Sequence, residues 1–236
     1  MKRLFYAISL LLGLSVVFSS CEKSGTATDD NGGGDASGAV DLGLSVKWAS
    51  CNLGASKPEE EGDYYAWGEV SPKKDFSIEK YKFYVGTDDY GRYQVSKYNI
   101  FPQFGKVDNK TQLEPEDDAA HAKLGGNWRI PTRADWQELR DKCIWTFQLR
   151  MKVPGFEIKS SVNGQSIFLP ITGYYIDEEY NYSDECSYWT STLKQKVSET
   201  QKHLDVYSLG IDDSPDIYFE SESRFFGNPI RPVKGK

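Results

Sequence analysis

The sequence is poor in the residues from which many metal centres and hydrolase sites are built. It has two histidines, His121 and His203, and four cysteines, none of which form a C-x-x-C pair. A structural zinc site needs four such ligands, so the sequence does not predict one. No G-x-S-x-G segment is present, which removes the elbow that presents a nucleophilic serine in many hydrolases. We therefore predict that the chain is not an enzyme.

The chain also lacks an excess of positive charge. Its formal net charge is -7, and removal of Lys2 and Arg3 with a leader peptide would make it -9. Neutralising phosphates requires clustered lysine and arginine, so we expect no nucleic-acid partner.

No hydrophobic run is long enough to cross a bilayer. The apolar stretch from Leu4 to Phe18 is shorter than the roughly 20 residues that a transmembrane helix needs. It follows Lys2 and Arg3 and ends at Ser19-Ser20-Cys21, the pattern of a secretory signal. Because a cysteine follows the small residues, the segment resembles a bacterial lipoprotein signal. This predicts a signal peptide over 1–20 and a lipid-anchored Cys21; the alternative is a plain signal peptide with an incidental cysteine.

The next segment, residues 21–38, is predicted to be a flexible tether. It contains glycine, serine, threonine and aspartate but no large apolar residue, so it cannot bury enough surface to offset the entropy of ordering. Asp29 and Asp30 weakly resemble the acidic signals that direct lipoproteins of Bacteroidetes-type bacteria to the outer face of the outer membrane. The alternative is an ordinary solvated linker.

Three cysteines remain in the predicted domain, residues 39–236: Cys51, Cys143 and Cys186. An odd number in an exported protein permits at most one bridge inside the chain. We predict a Cys51–Cys143 disulfide; the alternative is that all three stay reduced and pack as small apolar residues.

The hydrophobic pattern predicts an α+β domain. Leu42, Leu44, Val46 and Trp48 alternate with polar residues, as in a half-buried strand. Helices are predicted over 114–123 and from an N-cap at Thr132. From Ile144 onward short apolar runs and turns predict antiparallel strands.

Several motifs, in order, resemble the Fibrobacter succinogenes major paralogous domain family. They are Val40–Ala49 with Asn52–Ala55, Tyr64–Glu69, Asp118–His121, Gly126–Thr132, Phe168–Pro170, Tyr188–Thr192 and Ile230–Val233. The family is common in secreted and surface lipoproteins of Bacteroidetes. The resemblance implies a C-type-lectin-like fold related to formylglycine-generating enzymes. It implies no established activity, because functions are grafted onto folds.

Two acidic loops raise the question of calcium, which takes six to eight oxygen ligands. The candidate ligands are Asp177, Glu178, Glu179 and Asp184 in one loop and Asp212, Asp213 and Asp216 in the other. The alternative is that both loops are simply solvated, with no cofactor bound.

Taken together, these features predict a cell-envelope lipoprotein. It would be held to the membrane by lipid on Cys21 and would display a non-enzymatic, lectin-like binding domain for a glycan or protein. The expected ligand surface comprises the tyrosine-rich excursion 71–112 and the loops 176–187 and 210–224. The alternatives are an assembly subunit of a surface complex, which an exposed apolar patch would favour, and an enzyme of unrecognised mechanism.

Overall fold

The computed structural model describes residues 38–182, 186–196, 201, 203–211 and 217–236. The predicted signal peptide, the lipidation site Cys21 and the tether therefore lie outside the described residues. Among the helices that are described, none is long and apolar enough to cross a membrane.

Strands dominate the described part of the chain, where sixteen are found. In chain order they are β1 (Ala39–Val40), β2 (Val46–Ala49), β3 (Tyr64–Tyr65), β4 (Tyr84–Thr87), β5 (Tyr93–Val95), β6 (Trp128–Arg129), β7 (Cys143–Arg150), β8 (Val153–Ser160), β9 (Ser166–Pro170), β10 (Tyr174–Ile176), β11 (Glu179–Asn181), β12 (Cys186–Leu193), β13 (Asp205–Ile211), β14 (Ile217–Ser223), β15 (Asn228–Pro229) and β16 (Val233–Gly235).

The α+β, C-type-lectin-like fold expected from the sequence is wrong, because the structure is mostly β. The two predicted helices exist, but α1 (Ala119–Leu124) and α2 (Arg133–Lys142) are short. Residues Pro115–Asp117, expected to start the first helix, form a separate 3₁₀ turn. Helices of six and ten residues cannot cover a sheet, so the strands pack against one another in small antiparallel sheets instead.

Three of these sheets contain three or four strands, with orders β1-β2-β16-β6, β7-β8-β9 and β12-β13-β14. The pairs β15-β3, β4-β5 and β10-β11 form two-stranded ribbons. In the first sheet β16, near the C-terminus, lies between β2 and β6, with Val233 opposite both Trp48 and Arg129. The two ends of the described chain are therefore joined in one sheet.

Among the described residues three clusters of buried side chains form the core, two large ones and a small one around Val95, Phe104 and Leu204. The first contains Leu42, Leu44, Val46 and Trp48, so the alternating face predicted for this segment is confirmed, although only Val46–Ala49 is a strand. The second is rich in aromatic rings and holds Trp67 and Trp189. Their indole N–H groups donate to main-chain carbonyls of Thr190 and Tyr65 at 2.8 and 2.6 Å, which satisfies polar atoms that burial would otherwise penalise.

A fully buried arginine ties distant segments together. Arg231 donates from Nη1 to the carbonyls of Ala49 and Ser50, and from Nη2 to that of Phe168 on β9 at 2.9 Å. Its Nε donates to the side-chain oxygen of Asn52 at 2.9 Å. Burial lowers the pKa of Arg231 to about 10, so the guanidinium still carries its charge at neutral pH.

The network extends one step further through Asn52. The Asn52 amide donates to the hydroxyl of Tyr188 at 3.1 Å, and that hydroxyl donates to the carbonyl of Pro170 at 2.7 Å. The segment between β15 and β16, which carries Arg231, thus meets β9, β12 and the loop after β2 at one set of buried hydrogen bonds.

The predicted Cys51–Cys143 disulfide is wrong. Cys143 is a free thiol, whereas Cys51 is disulfide-bonded. Half-burial raises the pKa of the Cys143 thiol to about 11, so its reactive thiolate form is scarce at neutral pH.

We expect Arg231→Met to destabilise the protein by about 3–5 kcal/mol, because it removes every donor and leaves several buried carbonyls without partners. Urea unfolding measures this change. Arg140→Met is the matched control, since Arg140 makes a surface ion pair with Asp141 and should cost less than about 1 kcal/mol. Equal losses for the two variants would contradict the role given to Arg231.

Candidate functional site

An open groove of about 370 Å³ lies between α1, β6 and the segment 112–115. This volume is within the range of small-ligand sites in proteins. The lining residues are Gln112, Leu113, Pro115, Asp118, His121, Gly126, Asn127, Trp128, Arg129, Ser191 and Gly235.

The groove contains one buried carboxylate, that of Asp118, and it accepts hydrogen bonds from the backbone. Its Oδ1 caps α1 by accepting from the N–H of His121 at 3.0 Å, and its Oδ2 accepts from the N–H of Ile130 at 2.8 Å. Burial raises the pKa of Asp118 while these hydrogen bonds oppose the rise. Asp118 therefore fixes α1 against β6, and each of its two oxygens accepts one of these backbone hydrogen bonds.

The groove's arginine is likewise engaged. Arg129 pairs with Asp135 through two N–H···O contacts of 2.7 and 3.2 Å. Asp135 also completes a capping box with Thr132 at the start of α2. The prediction that Thr132 caps the second helix is confirmed. A bidentate pair leaves little of the guanidinium for a charged ligand.

The remaining wall of the groove is neutral and polar beside an aromatic ring. Gln112 and Asn127 are exposed, although the Gln112 amide donates to the Ser191 hydroxyl at 3.3 Å, and His121 is half-buried. Trp128 lines the groove but is only 9% exposed. Lys234 lies over the Trp128 ring at 5.7 Å. Amide and imidazole groups both donate and accept hydrogen bonds, so this lining suits a hydroxyl-rich ligand with one apolar face.

A second, smaller pocket of about 110 Å³ lies against the β12-β13-β14 sheet. Its walls combine aromatic rings with two carboxylates. The residues are Tyr174, Ile176, Ser187, Gly210, Tyr218, Glu220, Glu222 and Phe226.

Glu222 has the most unusual environment of this pocket. Burial raises its pKa to about 7, and the negative charges of Glu220 and Asp205 add to the rise, against hydrogen bonds from Ser187 and Asn228. Both of those hydrogen-bond donors are neutral side chains. The carboxyl is thus poised between its charged and neutral forms at physiological pH.

The acidic residues predicted as calcium ligands are only partly described. Asp177 and Glu178 form the two-residue turn of the β10-β11 hairpin, and Glu179 begins β11. All three are exposed, and the main-chain carbonyl of Asp177 accepts from the N–H of Phe76 at 2.7 Å. Asp184, Asp212, Asp213 and Asp216 lie outside the described residues. Calcium binding at these loops stays a prediction.

A carboxylate cluster with metal-like spacing occurs elsewhere, at Glu114, Glu116 and Asp117. The Lys97 ammonium contacts all three, at 2.6, 3.1 and 2.5 Å. Burial alone would raise the pKa of Asp117, but hydrogen bonds from Lys82, Lys97 and Tyr98 bring it below its ordinary value. Because a protein cation already holds the centre of this cluster, we interpret it as an ion-pair network.

The two histidines lie in different surroundings. His203 places Nε2 at 2.8 Å from Ser223 Oγ and at 3.5 Å from Asp205 Oδ1. A Ser–His–Asp relay needs the carboxylate at the opposite ring nitrogen from the serine. Since both partners approach Nε2, this arrangement does not match a hydrolase triad. His121 belongs to the groove, beside Asp118, whose oxygens are already engaged.

The structure brings together two of the three predicted ligand loops. Residue Phe76 of the excursion 71–112 forms a bridge with Asp177 of the second loop. Exposed tyrosines stand on both, with Tyr90 79% and Tyr182 63% exposed. In the third loop, residues 212–216 lie outside the described part.

The groove itself was not predicted as a ligand site. Its central motif, Gly126–Thr132, has a structural role at Arg129, which pairs with Asp135, and at Thr132, which caps α2. The sequence signal for this groove is the pair Gly125-Gly126. Both glycines have positive φ and follow the end of α1. As a result Asn127 is exposed beside Trp128. For the small pocket, Glu220 and Glu222 are two residues apart in a strand, a spacing that places both on one face.

No protein-family model matches the chain, and no curated protein or solved structure is significantly similar to it.

We expect the ionisation of Glu222 to make the protein less stable at pH 7.5 than at pH 5.5, while His203, whose pKa burial lowers, acts in the opposite direction. A carboxyl whose folded-state pKa is raised opposes folding as the pH rises from its unfolded pKa, about 4.3, towards its folded value; for Glu222 that value is about 7. Glu114, whose pKa is lowered to about 2, titrates below this window.

Thermal unfolding at the two pH values tests this expectation. Glu222→Gln should reduce the difference in Tm, and Glu178→Gln, at an exposed turn residue, should leave it unchanged. An undiminished difference in the Glu222→Gln variant would show that another group is responsible.

Proposed function

We propose that this protein is a lipid-anchored binding protein of the cell envelope and that the groove between α1 and β6 holds a glycan, without catalysing a reaction. The observation that carries the proposal is the composition of the groove wall. Its charged groups are paired within the protein, while the exposed amides of Gln112 and Asn127 stand beside the indole of Trp128.

Such a wall matches the two kinds of surface that a sugar presents. The hydroxyl groups of a sugar need partners that can both donate and accept, which amides provide. Its apolar C–H face packs on an aromatic ring. An ionic ligand would find Asp118 and Arg129 already hydrogen-bonded, so a neutral ligand is favoured.

The absence of catalysis is supported by the state of the candidate catalytic groups in the described chain. The hydrogen bonds of Asp118 go to the backbone N–H groups of His121 and Ile130 and not to the imidazole ring of His121, which a general base would need as its orienting partner. At His203 the serine and the aspartate approach the same nitrogen. Neither histidine therefore has the partner geometry of an acid–base pair.

Export and lipid anchoring are supported by the leader sequence and by the disulfide at Cys51. Disulfides persist in exported proteins and are rare in the reducing cytosol. We propose that the mature chain begins at a lipidated Cys21 and is tethered to the outer membrane, with the domain facing outward.

A glycan-array screen of residues 39–236, run with calcium and with chelator, tests the binding proposal. We expect saturable binding to one glycan class that survives chelation, since the groove has no free carboxylate cluster. The double variant Gln112→Ala/Asn127→Ala should weaken binding about tenfold, as the loss of two hydrogen bonds predicts.

Tyr182→Ala is the matched control, because Tyr182 is exposed on a predicted ligand loop away from the groove lining. A loss of binding in this variant alone would show that the ligand binds to the loops and not to the groove. Binding abolished by chelation would favour the acidic loops and calcium. A screen without any binding would contradict a glycan ligand.

Lipid anchoring has its own test. Cells expressing the full chain with an alkyne-labelled palmitate should yield a labelled protein in the membrane fraction. Cys21→Ser should abolish the label and release the protein from membranes, because a signal peptide alone leaves no acyl chain. Continued labelling of that variant would contradict lipidation at Cys21.

The second candidate function, an assembly subunit, is favoured by one observation. β7 is an edge strand of its sheet among the described residues, and large apolar side chains are exposed on it and on the turn that follows. These are Ile144, Phe147, Leu149 and Met151. Exposed apolar edge strands are common sites of strand pairing between chains. An array without binding, combined with self-association in solution, would favour this role.

A further inference from the structure

The small pocket on the β12-β13-β14 sheet is built by strand register. Ser187, Gly210 and Tyr218 are direct neighbours across the three strands, so all three lie on the same face. Glu220 and Glu222 follow Tyr218 at intervals of two residues along β14 and lie on this face as well. Tyr174, Ile176 and Phe226 close the opposite side.

Gly210 makes room for the acidic wall. A Cβ atom at this position would lie 2.6 Å from the Tyr218 ring and 3.1 Å from the Glu220 side chain. Any larger residue would therefore push these two groups apart. The pocket depends on a glycine in the middle of a strand, where glycine otherwise weakens the sheet.

Two buried polar side chains, Asn228 and Ser208, adjoin residues of the pocket lining without being part of it. The Asn228 amide donates to Glu222, and its own oxygen is buried without a partner among the described residues. Ser208, directly opposite Glu220, is fully buried and its hydroxyl likewise has no hydrogen-bond partner in the described chain. Buried acceptors of this kind are costly unless a donor reaches them.

The negative charges around Glu222 favour a cationic ligand. The charges that act most strongly on it are negative, those of Glu220 and Asp205. A buried carboxylate is stable when a cation or several hydrogen bonds compensate it. The donors at Glu222 are both neutral, so a cationic ligand would supply what the protein side chains do not.

We propose that this pocket binds a primary ammonium group carried on an alkyl stem, such as a lysine side chain of a partner protein or a free alkylamine. An ammonium group has three donors and no acceptor, which complements the carboxylates of Glu220 and Glu222. The rings of Tyr174, Tyr218 and Phe226 accommodate the stem and attract the charge.

The same walls argue against a metal ion. Calcium takes six to eight oxygen ligands, and magnesium needs octahedral oxygen coordination with several waters. A pocket of about 110 Å³ in which three aromatic rings and an isoleucine make up half of the lining does not offer that many oxygens. This inference does not depend on the groove, so the two sites can be tested separately.

Isothermal titration of the detergent-solubilised mature protein with n-butylamine and with Nα-acetyl-lysine N-methylamide tests the proposal at pH 8. We expect saturable binding of both, with the n-pentanol and Nε-acetyl-lysine analogues at least tenfold weaker because they lack the charge. Tighter binding of the lysine derivative would identify a protein side chain as the ligand; equal binding would identify a free amine.

Variants assign the binding to the pocket. Glu222→Gln and, separately, Glu220→Gln should each weaken amine binding at least tenfold, whereas Asp141→Asn, at a surface residue outside the pocket and the predicted ligand loops, should leave it unchanged; circular dichroism confirms that each variant is folded. The proposal is overturned if neither amine binds, if the neutral analogues bind equally well, or if both pocket variants bind like the wild type. Displacement of the amine by micromolar calcium would also overturn it, in favour of a metal site.

Discussion

The rest of the structure depends on one buried charge, the guanidinium of Arg231, which like that of Arg224 is removed from solvent in the described chain. Taking a cation out of water is costly, and here the compensation comes from main-chain carbonyls and the Asn52 amide. Carbonyls at Ala49, Ser50 and Phe168 can all point at one group only if their segments are held in place together. The charge therefore selects one arrangement of chain segments that are far apart in sequence.

This arrangement also places the two concave sites. The strand after Arg231, β16, lies between β2 and β6, so it fixes the strand that carries Trp128 and Arg129 in the groove. Tyr188, which completes the Asn52 network, precedes Trp189 on β12, and the neighbouring Ser187 lines the small pocket. Both sites are thus mounted on strands that the same buried network holds, with Asp118 and Asp135 fixing the groove locally.

Local features were predictable from the sequence, and long-range pairing was not. The alternating face from Leu42 to Trp48, the cap at Thr132 and the strand 166–170 follow from periodicity and side-chain chemistry within a few residues. The prediction of the fold class was wrong because helix signals identify where a helix begins but do not show whether the helix is large enough to form a layer. The disulfide prediction failed for a related reason: the distance between Cys51 and Cys143 depends on sheet topology, which no spacing rule encodes. The groove was not predictable because one short motif contains both the structural Arg129 in β6 and the exposed Asn127 that directly precedes this strand.

Hydrogen exchange of backbone amides, followed residue by residue by NMR, tests whether the Arg231 network holds the distant chain segments together until the whole protein unfolds. The amides of Ala49 and Leu53 donate to the carbonyls of Pro232 and Ile230, on either side of Arg231. We expect these two amides to exchange only through global unfolding and to share the same high protection. Exchange of both amides as fast as that of Gly91, in the turn of the β4-β5 hairpin, would contradict it.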